Sequence, residues 1–364
     1  MASKARRPRR FRPGQVKVVD LFCGIGGLSH GLLLEGFHVA GGVDNDETCK
    51  YAFEQNNNAK FFRRDIAKFT AREISKLFDG AAVRVLVGCA PCQPFSSLNR
   101  RRLSKRNAKK HWYPLYRFQR IIRRLKPEIV SMENVPELAN GDKYPVFNDF
   151  LGTLQALDYH VTYKVVDASR YGVPQRRRRL VLLASRLGPI SLVRETHDEK
   201  SAATVKQSIK SLPRLKHGGV SLSDPLHRAS RLSDTNQRRI AATPRNGGSA
   251  TSWKKSLMPK CYRKKSGKSY MVTVYGRMRW NDPAPTITTQ CTTLGTGRFG
   301  HPSQNRAISL REAALLQSFP RDYKFAEDGQ ISMRHLAKHI GNAVPVLLGC
   351  AIGRSIKKNI REHA

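Results

Sequence analysis

Six short apolar runs, at 16–22, 38–43, 83–87, 128–132, 160–166 and 180–184, have the length and β-branched content of buried strands. Apolar residues recur at helical spacing near 28–36, 115–125 and 146–157. Strands that alternate with helices in this way predict an α/β fold built on a doubly wound, mostly parallel sheet. The rhythm breaks after Ser185. From there to about Pro302 the chain is irregular and rich in Ser, Thr, Arg and Lys. Turn sequences such as Asn246-Gly247-Gly248 punctuate it, which predicts a second, smaller domain. Helical periodicity returns at 310–319 and 344–360.

Composition narrows the partners. The 364 residues can build a sizeable core, and no run is read as the ~20 apolar residues of a membrane span. No apolar segment follows the basic N-terminus, Arg6-Arg-Pro-Arg-Arg10, so it does not read as a secretory signal. Seven scattered cysteines suit a reducing compartment. The net charge of +39 points to a polyanion, most simply nucleic acid. Residues 99–126 carry twelve Lys/Arg and no acid, and 253–281 carry nine. Each segment includes aromatics (Trp112, Tyr113, Tyr116; Tyr262, Tyr270, Tyr275), a pattern that suggests two walls of one groove.

Five places carry candidate chemistry. The first apolar run opens into Asp20-Leu-Phe22-Cys-Gly24-Ile-Gly26-Gly27, a glycine turn that lets a ligand approach the backbone. By itself it is also the mark of any tight strand–helix connection. The second run ends at Asp44, twenty residues past Gly24, where a carboxylate can accept both ribose hydroxyls, so the pair suggests a nucleoside-bearing cofactor. After the third run comes Cys89-Ala-Pro91-Cys92-Gln-Pro94. Its prolines cannot continue a strand and turn the Cys92 thiol outward. A core cysteine, or a redox or metal partner of Cys89, are the alternatives, but no second Cys pair supports a metal. Glu133 follows the next run and falls beside Cys92 if the two strands are parallel neighbours. In Gln175-Arg176-Arg177-Arg178-Arg179, strand alternation sends Arg177 and Arg179 to one side. His335 and His339 read as two helix-surface histidines, and Cys23 and Cys350 as small core residues.

Taken in order, these blocks resemble the DNA (cytosine-5)-methyltransferase family. They are joined by Arg311-Glu-Ala-Ala-Leu-Leu-Gln-Ser-Phe-Pro320 and Gly341-Asn-Ala-Val344, so the resemblance extends from 18 to about 350. It implies the Rossmann-like fold of S-adenosylmethionine-dependent methyltransferases, with a smaller target-recognition domain. The expected limits are a basic flexible tail at 1–13, a catalytic and cofactor domain at 14–186, target recognition at 187–331, and a segment at 332–364 that completes the catalytic domain.

The implied activity is methylation of C5 of one cytosine in a short duplex DNA sequence. Cys92 would add to C6 of a flipped base. Glu133 would act at N3 and the exocyclic amine, Arg177 at the base carbonyl, and Arg179 would support the carboxylate. For the cofactor, S-adenosylmethionine, the resemblance implies Phe22, Gly24, Gly26, Gly27, Asp44, Asp65, Ile66, Pro91, Leu115 and Asn342. Segment 97–113 would close over the DNA. The chain departs from the family where Cys89-Ala90 stand, since Gly, Ser or Pro is usual there, and no glycine precedes Asp65.

Compact length resembles prokaryotic members, either paired with a restriction endonuclease acting on the same site or solitary. That implies a monomer working on double-stranded DNA in the cytoplasm, at the nucleoid, without metal or membrane. Two rivals are an RNA cytosine methyltransferase, disfavoured by the long variable segment between Arg179 and Arg311, and a silent DNA-binding regulator. The recognised sequence is not legible; arginines and polar residues from 254 to 298, including 286–289 and 292–294, are the candidates for base contacts.

Overall fold

The computed structural model describes residues 15–91, 105–263, 274–327 and 329–364, apart from the side chains of 105–111, 261 and 263. The chain packs as two compact units. The first runs to Asp167 and adds Arg178–Glu195 and Val346–Ala364; the second comprises Ala168–Arg177 and Thr196–Pro345. The expected segment 332–364 is thus divided between them, and the tail 1–13 lies outside the described residues.

The strands are β1 (Val16–Leu21), β2 (His38–Asp44), β3 (Lys60–Arg63), β4 (Val83–Gly88), β5 (Ile129–Asn134), β6 (His160–Asp167) and β7 (Arg178–Ser185). The helices are α1 (Gly27–Leu34), α2 (Lys50–Asn57), α3 (Ala71–Leu77), α4 (Lys105–Leu125), α5 (Pro145–Gln155), α6 (Val205–Ile209), α7 (Asp234–Ala242), α8 (Leu310–Leu316), α9 (Met333–Asn342) and α10 (Val346–His363).

All seven strands form one sheet in the first unit, ordered β3-β2-β1-β4-β5-β7-β6. The first five are parallel, and β7 and β6 run antiparallel to their neighbours. The chain winds outward from β1 to β3 and then returns to β4 on the other side of β1. Such a reversal opens a crevice at the carboxyl ends of β1 and β4. The register levels those ends, with Leu21 opposite Gly88 and Gly88 opposite Met132.

Helix α4 is amphipathic, and Phe118, Ile121 and Ile122 pack with Phe147, Phe150 and Leu154 of α5 over Leu86, Val130 and Met132 of the sheet. Helix α10 packs on α1 so closely that a Cβ at Gly31 would lie 2.5 Å from the Val346 carbonyl oxygen. Sequence periodicity missed β3, whose four residues hold only two apolar positions, and the short helices α2 and α3. It also treated 97–113 as one loop. Residues 92–104 lie outside those described, but from Lys105 the chain is helical, because Lys, Arg and Ala extend the helical register of 115–125 without a breaker before Pro114. The stretch Met333–His363 is long and apolar enough to pass for a membrane span, which the sequence reading did not find; it is mostly buried and is interrupted between α9 and α10.

Among the described residues the second unit has no strand, only α6–α9, 3₁₀ turns and isolated bridges. Buried arginines take over part of the ladder's role. Arg277 donates to the carbonyl oxygens of Thr243, His301, Gln304 and Ile240 and to Asn305 Oδ1, at 2.6–3.0 Å. Burial pushes its pKa down to about 10. Arg306 grips Glu312 through two bonds of 2.7 Å, and Glu312 completes a capping box with Ser309 at the start of α8. Burial alone would raise the Glu312 carboxyl, but hydrogen bonds and charge from Arg306 outweigh it and hold the group down at about 2.

Replacing Arg306 by Met strands a buried carboxylate, so stability should fall by about 3–5 kcal/mol, read as a loss in thermal midpoint at pH 7. A depressed carboxyl stabilises above its ordinary value, here 4.5, and that contribution is lost as pH falls towards 2. The deficit of Arg306→Met should therefore shrink with acidification; a deficit constant from pH 7 to pH 3 would refute the pairing.

Candidate active site

At the carboxyl end of β1 the chain turns through three left-handed residues, Phe22 (φ 61°), Gly24 (φ 51°) and Gly26 (φ 84°). The two glycines serve different ends. A Cβ at Gly26 would lie 2.3 Å from Asn57 Nδ2, whereas one at Gly24 would meet nothing within 4 Å. Gly26 thus packs the N-terminus of α1 and Gly24 faces open space. Gly27 is the first, buried residue of α1. The Gly24 N–H donates to Asp44 Oδ2 at 2.9 Å, and the Asp46 N–H to Asp44 Oδ1 at 3.0 Å. Burial pushes the Asp44 carboxyl up, against these two bonds. The glycine turn and Asp44, linked in the sequence only by spacing, are in direct contact. This cradle, with an open backbone approach and a half-buried acceptor carboxylate, fits a nucleoside-bearing cofactor.

The Arg64 N–H donates to the Asp44 carbonyl at 2.9 Å, which brings the Asp65-Ile66 turn to the same end of the sheet. Asp65 is exposed and caps Ala67 N through Oδ1 at 2.8 Å, and Ile66 is buried in the core. Pro91 is exposed beyond β4, Leu115 is buried in α4, and Asn342 is exposed at the end of α9 in the second unit.

Strand β5 runs on through Asn134, so Glu133 sits within the sheet rather than after it, and it is buried. Arg179 Nε lies 3.0 Å from Glu133 Oε1. The distance is that of an ion pair, but the two are not aligned as a hydrogen bond. The thiol of Cys89 donates to Glu133 Oε2 at 2.8 Å. Sequence reasoning expects Cys92 next to Glu133. Cys92 lies outside the described residues; among the described residues, the cysteine in contact with the carboxylate is Cys89.

The arginine run alternates as strand geometry requires, with Arg176 and Arg178 exposed and Arg177 and Arg179 turned inward. The inward pair then parts ways. Arg177 belongs to the second unit, where it donates to the carbonyl oxygens of Ile287, Gly341 and Ala343 at 3.0–3.2 Å. Gln175 and Gln317 join this hub: Gln175 accepts from Ile287 N and donates to Gln317 Oε1, each at 2.8 Å. Contact of Arg177 with a base carbonyl would need its Nη groups released from these carbonyls.

Other expectations change. Tyr262 is buried, and it and Trp253 pack edge-on against Tyr275, at 6.3 and 5.4 Å, with the Arg239 guanidinium 5.1 Å from the Tyr275 ring. These rings are core, not a stacking wall; Tyr270 lies outside the described residues. Trp112 and Tyr116 likewise pack on the core of the first unit. In 286–294, Ile287, Thr292 and Leu294 are buried while Thr289, Gln290 and Thr293 are exposed. His339 is buried, not on the surface as expected, because the apolar face of α9 carries it inward; His335 is exposed. Cys23 and Cys350 are buried.

A model of C-5 cytosine-specific DNA methylases matches residues 16–358. The chain is 50% identical over 342 residues to the type II methylase M.HgiDII of Herpetosiphon aurantiacus, covering 94% of this chain and 95% of that protein. It is 32% identical to the type II methyltransferase M1.BsuMI of Bacillus subtilis, over 91% of this chain and 78% of that protein. Among solved structures, a prophage-encoded DNA modification methyltransferase of E. coli superposes with a TM-score of 0.71 at 21% identity, over 94% of this chain and 99% of that one.

The sequence marks Asp20 only as the first residue of the glycine-turn block, because an acid inside an apolar run leaves no spacing signal of its own. Buried at the end of β1, it accepts from Ser29 Oγ at 2.6 Å. Burial, opposed by that bond and reinforced by Asp44, pushes its carboxyl up to about 7. A raised carboxyl favours folding when protonated, so its contribution is full below about 4 and is lost as pH rises through 7. The loss amounts to at most about 4 kcal/mol. Asp20→Asn should therefore gain thermal stability relative to wild type between pH 4 and 7; parallel melting profiles would overturn the assignment.

Proposed function

The chain belongs to the C-5 cytosine-specific DNA methylase family, a DNA (cytosine-5)-methyltransferase of the restriction-modification type, and from that premise we propose that it transfers a methyl group from S-adenosylmethionine to C5 of one cytosine within a short duplex DNA sequence. The observation that carries the reading is a buried carboxylate, Glu133, level with an open glycine turn at the sheet's crevice and attended by Arg179.

Phe22, Gly24, Gly26, Gly27 and Asp44 would hold the cofactor, with Asp44 accepting from the ribose hydroxyls; Asp65, Ile66, Pro91, Leu115 and Asn342 complete the proposed set. Bound there, S-adenosylmethionine supplies an electrophilic methyl group. The protein's task is to make C5 nucleophilic. The Cys92 thiolate adds to C6 of the flipped base, which places electron density on C5. Glu133 hydrogen-bonds or protonates N3 and offsets the charge that develops there. Arg179 keeps the carboxylate oriented, and Arg177 contributes the base-carbonyl contact once its backbone bonds open. Loss of the C5 proton then frees Cys92. Flipping is required because an internal base cannot reach a side chain in a crevice.

The second unit, rich in exposed Arg245, Lys254, Lys255 and Lys260, would read the target. The protein acts as a monomer in a prokaryotic cytoplasm, at the nucleoid, on sites it shares with a cognate restriction endonuclease.

Duplex DNA incubated with tritiated S-adenosylmethionine should gain acid-precipitable label, and Cys92→Ala should gain none. Glu133→Gln should lose about 10²–10⁴-fold in kcat. Wild type should form a denaturant-resistant adduct with DNA containing 5-fluorocytosine at the target, which cannot lose a proton from C5. Undiminished labelling by Cys92→Ala would sink the covalent route; equal labelling of tRNA would sink the DNA preference.

A further inference from the structure

Glu133 has two inequivalent carboxylate oxygens. Oε2 receives the Cys89 thiol at 2.8 Å. Oε1 faces Arg179 Nε at 3.0 Å, yet among the described residues it accepts no hydrogen bond. We propose that Cys89 is a positioning residue for Glu133: its S–H ties down Oε2 and leaves Oε1 to act on the cytosine. The inference rests on the role given to Glu133 above.

The contact is built by the backbone. Strands β4 and β5 are parallel, with Gly88 opposite Met132, so Cys89 and Glu133 are the next pair in register. The Cys89 N–H is held by the Leu21 carbonyl of β1 at 3.3 Å. One residue on, the Ala90 carbonyl accepts from Asn134 Nδ2 of β5 at 3.1 Å. Clamped from both neighbouring strands, the thiol is aimed before any substrate arrives, which is the condition for a preorganised site. Nor is Cys89 core filler: it is half-exposed, unlike the buried Cys23, Cys49, Cys291 and Cys350.

Without the thiol, Oε2 of a buried carboxylate loses its donor. The group can then turn about its last torsion towards the Arg179 fork, a geometry that takes both oxygens. A hydroxyl at the same place can still donate.

The test compares Cys89→Ala and Cys89→Ser with Glu133→Gln and wild type in methyl transfer to duplex DNA, with melting profiles to confirm folding. Cys89→Ala should lose roughly tenfold in kcat with little change in KM for DNA, the loss expected of one hydrogen bond to a charged group. Cys89→Ser should recover to within about threefold. In a Cys92→Ala background, Glu133→Gln should speed iodoacetamide labelling of Cys89, mapped by peptide mass, because the carboxylate opposes ionisation of its neighbour. Wild-type kcat in Cys89→Ala, a serine variant no better than alanine, or labelling indifferent to Glu133→Gln would overturn the positioning role. Wild-type activity in Glu133→Gln would instead overturn the role of Glu133 itself, and with it the purpose of the contact.

Discussion

The parallel register of β1, β4 and β5 is the constraint on which the first unit's chemistry depends. It places Leu21, Gly88 and Met132 side by side, so whatever follows each of them emerges at one level. From β1 comes the glycine turn, from β4 Cys89, and within β5 Glu133. A slip of one residue along β5 would send Glu133 to the other face and exchange it for Met132 or Asn134. The apolar side chains of β1, β4 and β5, buried along most of these strands, resist that slip.

Charge is handled differently in the two units. In the first, acids are buried next to the crevice with few partners, and burial raises both Asp20 and Asp44. In the second, arginines are buried and aimed at carbonyl oxygens. Arg177, Arg277 and Arg306 together tie down segments that have no ladder of their own. Each planar guanidinium offers several fixed donors, which suits it to collecting carbonyls from separate loops. Part of the +39 charge therefore serves as scaffold and is not available to phosphates.

Much of the site was legible where chemistry and local pattern coincide. Strand-end position and spacing pair Gly24 with Asp44, and the two are in contact; alternation sends Arg177 and Arg179 to one side, and both are turned inward. What alternation cannot tell is where an inward arginine ends. Arg177 and Arg179 are two residues apart yet serve different units, because the change from one unit to the other falls between them. Cys89 is weighed in the sequence only as a partner of Cys92, and Asp20 only as part of the glycine-turn block, for a related reason: neither shows its role until a neighbour from elsewhere in the fold gives it a partner. The aromatics of 253–275 erred the other way, since composition near a basic run does not distinguish a stacking surface from a small core.

By itself the sequence determined the alternating strands and helices of the first unit, the irregular second one, and the residue types the chemistry calls for, because these follow from periodicity and covalent spacing over a few residues. Tertiary structure decided that Cys89 meets Glu133, that Arg179 attends it, and how two glycines two residues apart come to pack and to open. Those outcomes depend on strand register and on contacts across 44 residues or more for Cys89, Glu133 and Arg179. Such contacts arise when separated segments share one core, and no local pattern in the chain encodes them.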